Sequence, residues 1–319
     1  MTSLHTHSIE HLGPCGMGTR AEANGLLSGL LAKIHPAAEL GRWTQTLRAF
    51  VAEPQFDTAV PRARDTAFPR ISIVMPSFNQ AAYIERSILS VLNQQDPNLQ
   101  FIVIDGGSTD GTVEILRQYD AHLIWRSEPD RGQSDALNKG LALADGEIAG
   151  WQNSDDVYFP GALKRVRQAA ARAPHAVLFS GAVASIDETD RLYRISKFIR
   201  PSALRLLHEG FVLSSQGVFW RREVESHAGQ FDVDLHHGMD ADFWLRVLPL
   251  GEAVFMPGLI GGFRVYPGTK TSVAGERGTA EMHALRMKYG VDDQTLGWKL
   301  QRGLLRASRL VRWMATSHV

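Results

Sequence analysis

Between Arg70 and Trp151, short apolar runs alternate with longer amphipathic ones, and this alternation constrains the fold of the 319-residue chain more than any other feature. Residues 71–75 are β-branched and apolar and end at Pro76, as in a strand buried on both faces. Ile84, Ile88, Val91 and Leu92 then recur at helical spacing. Residues 101–104 form a second strand-like run, Val113, Leu116 and Tyr119 mark a second helix, and residues 122–125 a third strand. Ala136, Leu137, Leu141 and Ala144 give a third helix before a fourth strand at 148–151. Such alternation predicts a mostly parallel, Rossmann-like α/β sheet flanked by helices. From about residue 175 it loosens. Residues 177–179, 182–186 and 192–198 read as strands with hairpin-type spacing, followed by a helix at 240–249 and two C-terminal helices.

Around this body, residues 1–20 read as a disordered tail. Its His5, His7 and His11 have no carboxylate or thiol pattern beside them and are not read as a metal site. Residues 21–69 form a helical extension, through Leu27, Leu30, Leu31 and Ile34 and then Leu47, Phe50 and Val51, with a proline-bearing linker at 53–69. The remaining divisions fall at 70–175, 176–275 and 276–319. Formal net charge is zero, so no basic field points to nucleic acid. The single cysteine, Cys15, excludes an intramolecular disulfide and fits a reducing compartment. The N-terminus carries no signal-peptide pattern, and no apolar stretch approaches the roughly 18–20 residues that span a bilayer. A cytoplasmic protein is expected, at most touching the inner face of the cell membrane.

In open parallel sheets, ligands bind beyond the carboxyl ends of the strands. Polar sequences fall at those points here. Pro76, Ser77, Phe78 and Asn79 follow strand one, Asp105 to Gly111 follow strand two, and Asn153, Ser154, Asp155 and Asp156 follow strand four. Each alone is an ordinary turn composition; three at successive strand ends describe a binding edge. Asp105 can accept from a base N–H or ribose hydroxyls, and Gly106 and its neighbours let the backbone approach closely. Asp155 and Asp156, adjacent and without a nearby Lys or Arg, repel each other, which a hard divalent cation bridging diphosphate oxygens relieves. No Cys/His set has zinc spacing, no GxxxxGK[ST] loop suggests NTP hydrolysis, and no GxGxxG turn suggests a nicotinamide dehydrogenase.

From Arg70 to about Gly161, the order and spacing of PRISIVMPSFNQ, FIVIDGGSTDGT, SEPDRGQSDALNKG and GWQNSDDVYFPG resemble glycosyltransferase family 2. The resemblance implies a GT-A fold, a nucleotide-sugar-binding half at 70–175 and an acceptor-binding and catalytic-base half at 176–275. It implies that Pro76, Ser77, Phe78 and Asn79, with Asp105, Gly106 and Ser108, hold the nucleotide. It further implies that Asp155 contacts ribose or sugar and that Asp156 binds Mn²⁺ or Mg²⁺. Asn153 departs from the family's first acid, and Arg131 is a candidate for the diphosphate, with a solvated loop arginine as the alternative. The segment 237–246, HGMDADFWLR, resembles the one carrying the catalytic base, matched to Asp240 with Asp242 as runner-up; simple helix capping is the competing reading. Residues 216–222 read as a strand leading to the acceptor site. Residues 262–270 resemble a late segment whose basic residues approach the diphosphate, here Arg264 and Lys270, with Tyr266 where a histidine is frequent. The Gln-X-X-Arg-Trp motif of processive members is absent after Asp240, which argues for transfer of a single sugar.

The implied reaction is an inverting displacement at the anomeric carbon, the donor a UDP-sugar before GDP- or dTDP-sugars, the acceptor a carbohydrate or lipid-linked hydroxyl in cell-surface polysaccharide or glycolipid assembly. The alternatives are a non-catalytic sugar-nucleotide-binding protein and a sugar-phosphate nucleotidyltransferase. The latter would want a Gly-rich, Lys/Arg-bearing loop after strand one, which residues 76–80 do not supply. Finally, residues 297–319 hold Lys299, Arg302, Arg306, Arg309 and Arg312 and no acid. At helical spacing, Leu300, Leu304, Val311 and Met314 gather on another side, with Trp298 and Trp313 near the ends. That pattern suits peripheral contact with an anionic membrane; the alternative is an ordinary packed helix with its arginines in water.

Overall fold

The computed structural model describes residues 37–58, 65–196, 200–210 and 213–315, with side chains described to residue 308. The expectations for the tail at 1–20 and for helical spacing at 27–34 lie outside these residues. So do those for Phe198 and for the side chains of Arg309, Val311, Arg312, Trp313 and Met314.

Strand β1 (Ile71–Ser77) is buried along its whole length. Ile71, Ile73 and Met75 pack on one side of the sheet and Val74 on the other, which is why the sequence shows an unbroken apolar run. Parallel to β1 lie β2 (Leu99–Asp105) and β4 (Ile148–Trp151), with β3 (Ile124–Ser127) parallel to β2. The order β3-β2-β1-β4 reverses direction between β1 and β4, which places a crevice at their carboxyl ends. Helices α1 (Ala37–Val51), α2 (Ile84–Leu92), α3 (Thr112–Arg117) and α4 (Gln133–Leu143) accompany these strands. Helix α4 lies close on β1: a Cβ at Gly140 would fall 2.3 Å from Val74 Cγ1. The third strand starts two residues later than expected and α3 ends before Tyr119, whose ring is still buried in the core.

In the second half, β5 (Val157–Tyr158), α5 (Ala162–Arg172), β6 (Ala176–Ile186), β7 (Leu192–Ser196) and α6 (Ala203–Glu209) precede β8 (Val218–Arg221). There follow α7 (Glu225–Ala228), α8 (Met239–Val247), β9 (Glu252–Arg264), α9 (Gly275–Lys288) and α10 (Leu296–Ala315). The sheet continues β4-β8-β6-β9-β5, with β7 also on β6, giving nine strands among the described residues. Only β6 and β9 are parallel here. The runs 177–179 and 182–186, expected as two strands, are one. Gly181 between them is not a turn residue: a Cβ there would sit 2.2 Å from Ile260 Cγ1, so it permits close packing. The true hairpin joins β6 to β7, its turn held by Asp187 accepting from the amides of Thr189 and Arg191.

Two cores sandwich the sheet. One gathers Trp220, Phe231, Phe243 and Trp244 beneath α4 and α8; the other gathers Ile88, Val103, Tyr158 and Phe219 beneath α2 and α5. Helix α1 packs through Leu47 against Val157, Phe159 and Leu259. Asn93 ties its end down by donating to the Phe50 carbonyl at 2.5 Å and accepting from the Gln55 amide.

Candidate active site

The loops after β1 and β2 are laced together. Asn79 donates its amide to Ser108 Oγ (2.7 Å) and receives the Thr109 amide on its side chain (3.0 Å), while the Gly106 amide donates to the Ser77 carbonyl (2.8 Å). Asp105 is fully buried. It accepts from the amides of Gly107 and Ser108 and from the hydroxyls of Ser108 and Ser127. Its carboxylate therefore shapes the loop, and any ligand contact is shared with four protein donors. Gly106 is needed for space, because a Cβ there would lie 2.9 Å from Asp130 Oδ2. Burial and the nearby charges of Asp135 and Asp105 raise the Asp130 carboxyl, against the Gly132 amide and Lys139. Phe78, directly after β1, is 60% exposed and offers a bare aromatic face beside these loops.

The loop after β4 is built around Asn153. Its Oδ1 accepts from Trp151 Nε1 (2.7 Å) and Gln133 Nε2 (2.8 Å), and its Nδ2 donates to Asp156 Oδ2 (2.9 Å). Asp156 is 1% exposed and also accepts from Gln216 Nε2 and the Arg264 amide. An acid at 153 would set two carboxylates face to face here, which explains the amide. Asp155 is less enclosed. Its Oδ2 accepts from the Tyr266 hydroxyl (3.0 Å), and the Tyr266 ring lies tilted against Tyr83, 4.8 Å between centroids. Burial raises both carboxyls, and the charge of Asp155 adds to the rise at Asp156.

The three basic residues expected near the diphosphate sit in different surroundings. Arg264 does not reach the ligand edge: it is fully buried, donating to the carbonyls of Asp155 and Asp187 and paired with Asp190 at 2.5 Å, with its guanidinium over the Tyr83 ring. A buried guanidinium needs all these acceptors, so it secures the Asp155 loop from behind. Arg131 is 71% exposed in its loop and meets Asp135 at 3.4 Å, with its guanidinium open to solvent. Lys270, by contrast, does point inward. It donates to Gln133 Oε1 (2.7 Å), and burial lowers its pKa to about 8 despite the charge of Asp240.

Asp240 and Asp242 open α8 in different environments. Asp242 is 1% exposed and consumed by Arg246 and Lys288 (2.9 Å each). Among the described residues, Asp240 receives a side-chain hydrogen bond from the Ala241 amide (2.7 Å) and no ion pair; burial raises its pKa to about 6, with the Ala241 bond and Lys270 opposing. The turn before α8 is held by Glu281 of α9, whose Oε2 accepts the amides of His236, His237 and Gly238. The chain Lys270–Gln133–Asn153–Asp156 thus joins the region of Asp240 to the loop after β4. Gln133, Gln216, Tyr266 and Glu281 were not predicted as site residues. Gln133 lies in the SEPDRGQSDALNKG segment, Gln216 opens the 216–222 strand and Tyr266 stands at a histidine position of a family segment, but none of these gave a role, and Glu281 carries no local motif.

The pair Asp155 and Asp156 offers few ligands of its own: among the described residues no three His, Cys, Asp or Glu side chains converge on a metal position. A site with one or two carboxylates completed by substrate phosphates is the arrangement Mg²⁺ and Mn²⁺ accept, so the donor set fits such an ion bound with its nucleotide.

Comparison with known proteins agrees with this architecture. A family model described as glycosyl transferase family 2 matches residues 72–228. An uncharacterized glycosyltransferase of Mycobacterium tuberculosis is 31% identical over 196 residues, covering 59% of this chain and 72% of the relative. A putative teichuronic acid biosynthesis glycosyltransferase of Bacillus subtilis is 34% identical over 118 residues, 35% of this chain and 46% of the relative. Among solved structures, S. aureus TarS 1-349 in complex with UDP-GlcNAc superposes with a TM-score of 0.59 at 18% identity, covering 68% of this chain and 65% of that one. A mannosyltransferase from Pyrobaculum calidifontis in complex with GDP-Man and Mn²⁺ gives 0.53 at 20%, covering 82% and 74%. The fold is that of the GT-A glycosyltransferases, and the chain belongs to glycosyl transferase family 2.

Proposed function

We propose that the protein transfers one sugar, with inversion, from a nucleoside-diphosphate donor to a hydroxyl acceptor. The observation that carries this reading is Asp240: a carboxylate at a helix start, raised to about 6, spared the ion pairs that consume Asp242, and linked through Lys270 to the strand-end loops. In this reading the nucleotide lies over the loops after β1 and β2, its base against Phe78. Asp155 faces the diphosphate with Mn²⁺ or Mg²⁺, and Asp156 holds the loop in shape rather than meeting the cation. Such an ion, when bound, neutralises charge on the leaving diphosphate. Lys270 adds a positive charge on the same side. Asp240 takes the proton of the acceptor hydroxyl as its oxygen bonds to the anomeric carbon and the bond to the diphosphate breaks. A base near 6 is ionised at neutral pH yet strong enough to accept that proton. A UDP-sugar is the favoured donor. Support for an acceptor in polysaccharide assembly comes from the teichuronic-acid relative. The test is release of nucleoside diphosphate from UDP-, GDP- and dTDP-sugars. One donor should turn over, and turnover should fall by about 10²–10⁴ in Asp240→Asn; binding without turnover of any donor would favour a non-catalytic protein.

A further inference from the structure

Helix α10 turns the wrong side outward for a helix that only packs on the body. Leu296, Leu300 and Leu304 lie one turn apart and are 72%, 61% and 72% exposed. The same face carries Gly297, Gly303 and Ala307, all exposed, and a Cβ at either glycine would meet nothing within 4 Å. The inward side instead holds Trp298, 8% exposed, covered by the guanidinium groups of Arg286 and Arg302 and stacked on His208, while Ser308 accepts from Arg205. An ordinary packed helix would bury its leucines and leave its arginines in water. Here Lys299 and Arg306, seven residues apart, are exposed along one flank of the leucine face. No acid occurs from Gly297 to Val319, and the sequence continues the apolar spacing at Val311 and Met314.

We propose that the outward face of α10 is a lipid-binding surface: Leu296, Leu300 and Leu304 enter the headgroup–acyl boundary of an anionic membrane while Lys299 and Arg306 meet its headgroups. Charge selects this occupant. A row of leucines flanked by cations, on a stretch that carries no acid of its own from Gly297 onward, complements a negatively charged, apolar layer, whereas a second copy of this chain would bring the same cations against one another. Among the described residues no helix is long and apolar enough to cross a membrane, so the contact lies in the plane of the interface. The proposal stands apart from the transfer reading; only its benefit, access to a lipid-linked acceptor, rests on that reading.

The test is flotation of the full chain with phosphatidylcholine vesicles, with and without phosphatidylglycerol, beside light scattering of the protein alone. The wild type should bind anionic vesicles at least about tenfold more tightly than neutral ones, and binding should fall with salt. The double variant Leu300→Glu/Leu304→Glu should keep its melting temperature and lose the vesicles. A wild type that never floats at low salt, or a variant that floats equally well, overturns the proposal. So does a dimer that the variant converts to monomer without any vesicle binding, which would assign the face to a second copy. No nucleotide enters this readout, so its failure leaves the transfer reading untouched.

Discussion

Replacing Asp240 with asparagine should stop catalysis and stabilise the fold at once. Burial raises the carboxyl from 3.8 to about 6, which corresponds to roughly 3 kcal/mol between its charged and neutral forms. Because the folded pKa lies above the unfolded one, the stabilisation by the proton is complete below about pH 4 and is lost as pH rises through about 6. At pH 7 the wild type therefore carries a buried charge that asparagine does not. Asparagine keeps the shape and still accepts the Ala241 amide, but it removes the attraction felt by Lys270. A net gain of about 1–2 kcal/mol remains, a rise of several degrees in melting temperature. Turnover should fall by about 10²–10⁴, the usual worth of a general base. Scanning calorimetry at pH 4 and pH 7, beside donor turnover with an excess of acceptor, reads both. The stability advantage should be present at pH 7 and absent at pH 4. An active variant, or a stability change of the same size at both pH values, would refute the assignment.

Other consequences follow from the same geometry. Turnover should be bell-shaped in pH, rising as Asp240 loses its proton near 6 and falling as Lys270 loses its own near 8; a flat profile across this range would separate both groups from the chemistry. Asp156→Asn turns one accepting oxygen into an amide donor, which must face either Gln216 and Asn153 or the Arg264 amide. It should lower the melting temperature, by about 1–3 kcal/mol of stability, as thermal unfolding would show. Glu281→Gln weakens the carboxylate cap on the amides of residues 236–238 and should cut kcat about tenfold with little effect on donor KM. A change confined to KM would place Glu281 at the donor instead.

The first half of the fold is legible because β1, β2 and β4 are buried on both sides and their helices on one, so burial writes a clear period into the sequence. The second half is not, since β6 exchanges partners along its length and Gly181 serves packing where the sequence suggests a turn. The short α6 and β5 went unread because so few residues carry no clear period, whereas α5 went unread although Leu163, Val166 and Ala170 recur at helical spacing. At the site, motif order located the loops and both acids of α8. The resemblance set Asp240 before Asp242 and gave the cation to Asp156, but the neighbours that distinguish each pair, Gln216, Arg246 and Lys288, arrive from elsewhere in the chain. The surroundings of Arg264 were hidden for the same reason, its partners Asp187 and Asp190 being remote in sequence.

The central claim, a nucleotide diphosphate held at the β1–β4 crevice with a divalent ion on Asp155, is tested most directly by calorimetric titration of UDP into the wild type and Asp155→Asn, with Mn²⁺ and with chelator. The account predicts binding to the wild type that Mn²⁺ tightens by at least about tenfold, and a variant in which that gain disappears. Equal metal-dependent gains in both proteins would contradict it.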